Sequence, residues 1–142
     1  MITIEEAIIL AVKAHRGQKD LDGKPVILHP LSVALKGTND KEIIAGLLHD
    51  VVEDSTYSFE DLENYGIDND ILEALRLLTH CNDESYDDYI DRIIKSGNVL
   101  ALTIKRNDLE CNLLRNNKST NNKRRIYDKH KKAINKVNRA SR

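Results

Sequence analysis

The sequence predicts an all-α bundle of about seven or eight helices, and three observations predict it. Apolar residues recur at three- and four-residue spacing in almost every segment, strand-like alternation is nearly missing, and helix-capping residues punctuate the chain at short intervals. The apolar residues are mainly Leu, Ile, Val and Ala, with no Trp and a single Phe, a composition suited to helix packing. A length of 142 residues fits one domain over 1–142 with a single sizeable core.

Each element has its own signal. Thr3 with Glu6 makes a capping box; Ile8, Ala11, Val12 and His15 share a face of the first helix, and Gly17 ends it. "KDLDGKPVI" is a loop with a turn at Asp22-Gly23, and Pro30 suits the first turn of a short helix, "PLSVALKG". Asn39 or Asp40 caps the third helix, which runs through "LLHDVVED" with Ile43, Ile44, Leu47, Leu48 and Val51 inward. Ser58 with Asp61 opens a short helix closed by Gly66, and Asp68 starts the next, with Ile71, Leu72, Leu75 and Leu78 inward. Ser85 with Asp88 opens "SYDDYIDRIIKSG", whose Tyr89, Ile90, Ile93 and Ile94 face the core. A longer helix covers 98–115, with Leu100, Ile104 and Cys111 near its inner side. "NNKSTNN" is a polar linker, and a basic helix over about 123–138 carries Ile126, Ala133, Ile134 and Val137 as a thin apolar stripe.

Composition excludes several function classes. No apolar run approaches the roughly 18 residues of a membrane span, and "MITIEEAIIL" has acids where a signal peptide has bases, so a cytoplasmic location is expected. Cys81 and Cys111 stand alone and read as reduced, partly buried thiols rather than a disulfide or zinc knuckle. The net charge of −1 is unevenly spread: residues 115–142 hold eleven Lys or Arg against Asp128 alone, leaving the body strongly acidic. Such a tail can meet nucleic acid or phosphate; the plainer reading is a solvated helix that offsets the acidic body.

One stretch breaks the apolar pattern. His49 and Glu53 are four residues apart, as are Asp50 and Asp54, so each pair shares a helix face. Burying this many ionisable groups is expensive unless a cation or strong hydrogen bonds compensate. His29, just before Pro30, and Asp108, with Asn112 one turn on, are further ligand candidates. Mixed imidazole and carboxylate donors suit Mn²⁺, Fe²⁺ or Zn²⁺ better than Ca²⁺. Lys19, Lys24, Lys105, Arg106 and Arg115 are candidates for binding phosphate, each also readable as a surface charge. His15 reads as a structural histidine, His80 and His130 as surface residues, and Tyr86 and Tyr89 as either core or pocket lining.

"LLHDVVEDS" with "HRGQ…DGKPVILHPLSVA" resembles the HD-type hydrolase domain of RelA/SpoT-like stringent-response proteins, most closely its short stand-alone members. The likeness continues through "EALRLLTH", "SYDDYIDRI" and "ALTIKRNDLECNL", covering about residues 3–115. It implies a compact HD-domain bundle, with His29, His49, Asp50 and Asp108 as metal ligands and Mn²⁺ as the usual metal. It further implies Glu53 and Asp54 as the pair that orients and activates water, Asn112 as a residue shaping the site, and Lys105 as a lysine near the nucleotide. The implied reaction removes pyrophosphate from the 3′ position of (p)ppGpp. Three departures stand out: Asp20 and Leu21 where an Arg-Lys-like pair is usual, Val26 in place of Tyr, and Asn107 in place of a small residue. Guanine specificity is therefore less secure than the chemistry. Other readings are another nucleotide or dinucleotide phosphate as substrate, a non-catalytic nucleotide sensor, or a nucleic-acid binder using its tail.

Overall fold

The computed structural model describes residues 2–115 and 121–141, with Asn121 described in its backbone only; most of the "NNKSTNN" linker lies outside the described residues. Among the described residues nine helices follow one another: α1 (Ile4–His15), α2 (Leu28–Leu35), α3 (Asp40–Leu48), α4 (Val51–Asp54), α5 (Phe59–Asn64), α6 (Asn69–Leu78), α7 (Tyr86–Ser96), α8 (Val99–Arg115) and α9 (Asn121–Ala140). The all-α class is borne out, and the only β pairing among them is an isolated bridge between Lys19 and Pro25. No helix there is long and apolar enough to cross a membrane.

The caps sit where the side chains allow them. Thr3 and Glu6 satisfy each other's backbone N–H groups at the start of α1, and Ser58 and Asp61 do the same at α5. Asn39 caps α3, Ser85 caps α7, and Gly97 ends α7 at a φ of 65°, which glycine tolerates. The inward face of α1 is Ala7, Leu10, Ala11, Ala14 and His15. Val12, expected inside, is 42% exposed, because the stripe is rotated toward the small alanines that let α3 approach.

The core is organised around α3, which packs against α1, α2, α6 and α8. Its run Ile44–Leu48 is buried throughout. Gly46 permits the closest approach: a Cβ there would meet Ala34 Cα and N of α2 at 3.0 Å. Beyond Leu48 the expected continuous helix breaks. The Gly46 carbonyl, which an unbroken helix would give to the N–H of residue 50, faces His49 Nδ1 at 2.6 Å. Asp50 sits at φ −105°, ψ 0°, and its own carbonyl accepts the Asp54 N–H to start the single turn of α4. This break raises the helix count above the expected number.

Helix α9 lies on α8 and α7, burying Ala133, Ile134 and Val137. Its Lys123, Lys132 and Lys136 reach Asp22, Asp87 and Asp91 at 3.0, 3.4 and 2.9 Å, so its charge is turned partly toward the acidic body. Such pairs are worth little individually, and the apolar stripe does most of the docking. Of the expected partly buried thiols, Cys111 is buried and Cys81 exposed, both free. His80 and His130 are not surface residues without partners. The ring of His80 stacks on Tyr89 at 4.7 Å, and His130 lies 6.3 Å from Tyr86.

Two outcomes follow from this packing. Gly46→Ala forces α3 off the α2 backbone and costs about 1–3 kcal/mol, as overpacking does. Thermal denaturation should show a melting temperature lower by roughly 3–10 °C. For His130, burial followed by the Lys129 charge lowers the pKa to about 4, from an ordinary 6.5. The unfolded chain therefore binds more protons in that window. The stability from neutral His130 is complete above 6.5 and is lost as pH falls through about 4. Amide protection factors in α9, corrected for the intrinsic pH dependence of exchange, should fall on acidification across this range, and His130→Gln should flatten that dependence.

Candidate metal centre

Four side chains from three parts of the chain converge at the break after α3. His29 comes from the first turn of α2, where Pro30 costs no hydrogen bond. His49 and Asp50 occupy the break itself, and Asp108 projects from the middle of α8. His49 Nε2 lies 3.1 Å from Asp50 Oδ2 and 3.4 Å from Asp108 Oδ1, while His29 Nε2 is 2.6 Å from Asp108 Oδ1. The rings of His29 and His49 meet edge to face, with centroids 5.3 Å apart. The donor atoms of His29, His49 and Asp50 all fall within 4.8 Å of one another.

The donor set fits a divalent cation. Donors held at about 2.0–2.2 Å from one ion must stand roughly 3.0–3.5 Å from each other, the spacing around His49 Nε2. That nitrogen is buried without a hydrogen-bond partner, while its ring's Nδ1 faces the Gly46 carbonyl. A carbonyl at Nδ1 fixes the tautomer that leaves the Nε2 lone pair available to a metal. Electrostatics point the same way. Burial resists protonation of His49, yet Asp50 and then Asp108 raise its pKa well above the usual imidazole range, a measure of how strongly this pocket attracts positive charge. Burial also opposes ionisation of Asp108, but Lys105, His29 and His49 outweigh it and hold the carboxyl well below the ordinary range.

The neighbours of the four have distinct placements. Glu53 and Asp54 follow Asp50 on α4, with carboxylate oxygens of all three within 4.8 Å. Burial first, then repulsion from Asp50, raises the pKa of both. Asn112 Nδ2 donates to Asp108 Oδ1 at 3.3 Å, and its own Oδ1 accepts from Arg115 at 3.0 and 3.2 Å. Lys105 is buried: its Nζ donates to Asp108 Oδ2 at 2.8 Å and lies 4.9 Å from the centre of the Tyr89 ring. It backs Asp108 from inside and does not line the opening.

The opening is a cleft of about 300 Å³ lined by Lys19, Asp20, Leu21, Asp22, Val26, His29, Asp50, Asp54 and Arg115. A hollow of about 450 Å³ beside it shares His29 and Arg115 and adds Lys24, Leu28, Ser32, Cys111 and Leu114. Among the phosphate candidates, Lys19, Lys24 and Arg115 thus reach these surfaces, while Lys105 and Arg106 do not line them. Tyr89 belongs to the core, its hydroxyl donating to the Leu78 carbonyl at 2.5 Å. Two contributors escape a reading by residue type. Gln18 Nε2 donates to the Asp54 carbonyl at 2.7 Å, its Oε1 being 3.0 Å from His15 Nδ1, and the backbone N–H of His80 donates to Glu53 Oε1 at 2.7 Å. The i, i+3 pairing of His15 with Gln18 at the end of α1 was the visible trace of the first. A main-chain donor leaves none.

The fold is an all-α bundle like that of HD domains. Among solved structures the fold is similar to that of a metazoan ortholog of SpoT, described as hydrolysing ppGpp. The two superpose with a TM-score of 0.75 at 26% identity, over 94% of this chain and 84% of that one. In sequence the chain is a relative of the (p)ppGpp synthetases and hydrolases. It is 49% identical over 63 residues to a GTP pyrophosphokinase of Streptomyces coelicolor and 43% identical over 68 residues to a guanosine-3′,5′-bis(diphosphate) 3′-pyrophosphohydrolase of Aquifex aeolicus. It is 38% identical over 64 residues to the bifunctional SpoT of Escherichia coli. These stretches cover 42%, 44% and 42% of the chain but only 7%, 10% and 9% of the relatives' lengths. No protein-family model matches the chain.

If the cluster binds a metal, removing one donor should weaken that binding sharply. Asp108→Asn and His49→Gln should each reduce Mn²⁺ affinity at least about tenfold by titration calorimetry. His15→Gln, outside the cluster, should leave it unchanged.

Proposed function

We propose that the chain, as a single domain over 1–142, is a metal-dependent phosphohydrolase that removes pyrophosphate from the 3′ position of (p)ppGpp. The carrying observation is the meeting of His29, His49, Asp50 and Asp108 beside a cleft that His29, Asp50, Asp54, Lys19 and Arg115 line, with the Glu53 carboxylate within 4.8 Å of those of Asp50 and Asp54. The names of the relatives and of the solved structure support the same substrate class. His29, His49, Asp50 and Asp108 would hold the metal; mixed imidazole and carboxylate donors suit Mn²⁺, Fe²⁺ or Zn²⁺, and the family resemblance points to Mn²⁺ among these. When bound, it supplies Lewis acidity toward a phosphoryl oxygen and toward water.

The protein's own residues supply the rest. Glu53, aided by Asp54, takes a proton from the attacking water; their raised pKa values make them stronger bases than ordinary carboxylates. Water attacks the phosphorus attached to the 3′ oxygen. The bond from that oxygen to phosphorus breaks, pyrophosphate leaves with the water's oxygen, and the 3′ oxygen gains a proton. Arg115, steered by Asn112, and Lys19 meet the phosphate charge, and Asn112 also steadies Asp108.

A second reading keeps the reaction and changes the base. Asp20 and Leu21 line the cleft where basic residues would be usual, which favours another nucleotide or a dinucleotide phosphate. A panel of ppGpp, pppGpp and other phosphorylated nucleotides with Mn²⁺ separates the two. Release of pyrophosphate from the guanosine compounds supports the first, and turnover of another member alone supports the second. Metal and nucleotide binding without turnover would make the chain a sensor. Glu53→Gln should cut turnover by about 10²–10⁴-fold while Mn²⁺ affinity stays as in the unaltered protein.

A further inference from the structure

Glu53 is the penultimate residue of the single-turn helix α4, its carboxylate within 4.8 Å of those of Asp50 and Asp54, and a glutamate there has three free torsions. Its Oε1 accepts a hydrogen bond from the His80 backbone N–H at 2.7 Å. That N–H lies in the segment 79–85 between α6 and α7, where Cys81, Asn82 and Asp83 are exposed and no regular structure holds the chain. What fixes the segment is a set of contacts around one arginine. Arg92 of α7 donates from Nη2 to Glu84 Oε1 at 2.8 Å and from Nε to Glu84 Oε2 at 3.1 Å, a two-point clasp of the carboxylate. The same Nη2 donates to the Thr79 carbonyl at 3.1 Å, one residue before His80. Glu84 Oε1 also accepts the Cys81 N–H at 3.1 Å, one residue after it.

The residue presenting the N–H is held on its side-chain end as well. The His80 ring lies stacked on Tyr89, and its Nε2 is 2.8 Å from the Glu84 carbonyl oxygen. Arg92 itself rests over the Tyr89 ring, 5.6 Å from its centre. The clasp is also electrostatically tight: the Arg92 hydrogen bond, assisted by the Cys81 N–H and opposed by slight desolvation, lowers the Glu84 pKa to about 2.

We infer that Arg92 and Glu84 are positioning residues for Glu53: they lock both neighbours of His80, so that its N–H holds the Glu53 carboxylate at one orientation beside those of Asp50 and Asp54. A base displaced by about an ångström loses much of the advantage of a preset geometry, so the clasp acts on turnover and not on binding. This rests on the reading of Glu53 as the group that takes the water proton. The hydrogen-bond path itself is independent of it.

The test compares the full chain with Arg92→Met, Arg92→Lys, Glu84→Gln, Glu53→Gln and the double variant Arg92→Met/Glu53→Gln. Glu84→Gln keeps a neutral acceptor in place should Arg92→Met fold poorly. Amide exchange and the amide shift of His80, read by nuclear magnetic resonance, come first. The His80 N–H should respond to Glu53→Gln in the native background, exchange faster in Arg92→Met, and lose its response to Glu53→Gln once Arg92 is gone. With the substrate found in the panel, Arg92→Met and Glu84→Gln should lower kcat about tenfold with KM and Mn²⁺ affinity within about twofold, and Arg92→Lys should recover part of the loss. In the Glu53→Gln background, Arg92→Met should add no further loss. An unchanged His80 amide in Arg92→Met overturns the inference, as does a fully additive loss in the double variant or a change confined to KM. If the native chain turns over nothing, the proposed hydrolysis fails, and the His80 amide alone decides whether the clasp holds Glu53.

Discussion

The contact on which the rest of this molecule depends is the buried carboxylate of Asp108 facing two imidazoles and a lysine. An ionised group taken out of water costs several kcal/mol unless compensated, and here Lys105 at 2.8 Å compensates one oxygen while His29 at 2.6 Å faces the other. Satisfying that carboxylate imposes conditions on three other elements. α2 must begin at Leu28 so that His29 enters from its first turn. α3 must stop after Leu48 so that the His49 ring turns onto the Gly46 carbonyl. Gly46 must have no side chain, because α2 has to lie against α3 for the two histidines to meet. The apolar core and the polar centre are therefore parts of one packing problem, with Ile44, Leu47 and Leu48 on one side of α3 and the charges gathered at its end.

Much of this was legible in the sequence because it is written in local patterns. Capping pairs such as Thr3 with Glu6 and Ser58 with Asp61 act over three residues, so the chain announces them directly. The four metal-ligand candidates were legible for a different reason. His49 and Asp50 interrupt a run that otherwise reads as core, and a polar residue in a core position demands a partner. The break between α3 and α4 was not legible, because "LLHDVVED" has perfect helical spacing. The interruption comes from a side-chain-to-carbonyl bond at His49 that competes with the helix's own. Val12 was misplaced for a similar reason: position on a helical wheel gives the stripe's width, while its centre is set by what packs against it, here the small residues of α1.

Lys105 shows why residue type alone misleads about charge. In the sequence it is one basic residue among many, suited to a phosphate at the surface. In the fold its ammonium lies between Asp108 and the Tyr89 ring, with burial opposing its charge and Asp108 outweighing burial. Its stem covers apolar surface while its charge is spent on the centre. The basic α9 is a milder case: three of its lysines face Asp22, Asp87 and Asp91, so part of the charge asymmetry between body and tail is internal. A contiguous basic face for a polyanion would need those cations turned outward.

The division between rigid and adaptable parts gives the site its logic. His29 and Asp108 stand on packed helices and His49 and Asp50 at the junction of two, whereas much of the surface that would judge a substrate stands on the loop after α1. Asp20 illustrates how that loop is built. Its Oδ1 accepts the N–H groups of Asp22 and Lys24, each at 2.9 Å, and Gly23 completes the turn at a φ of 78°. The carboxylate is thus already engaged in folding its own loop, and its other oxygen stands 3.9 Å from Arg115. An aspartate in this role does more than remove a basic contact: it neutralises part of the Arg115 charge before any phosphate arrives. Asn112 acts on the same guanidinium from α8, and so ties the cleft's cation to the Asp108 carboxylate. In the proposed reading, selectivity comes from how far an incoming phosphate can draw Arg115 away from Asp20, a contest that the loop decides while the candidate ligands His29, His49, Asp50 and Asp108 stay fixed.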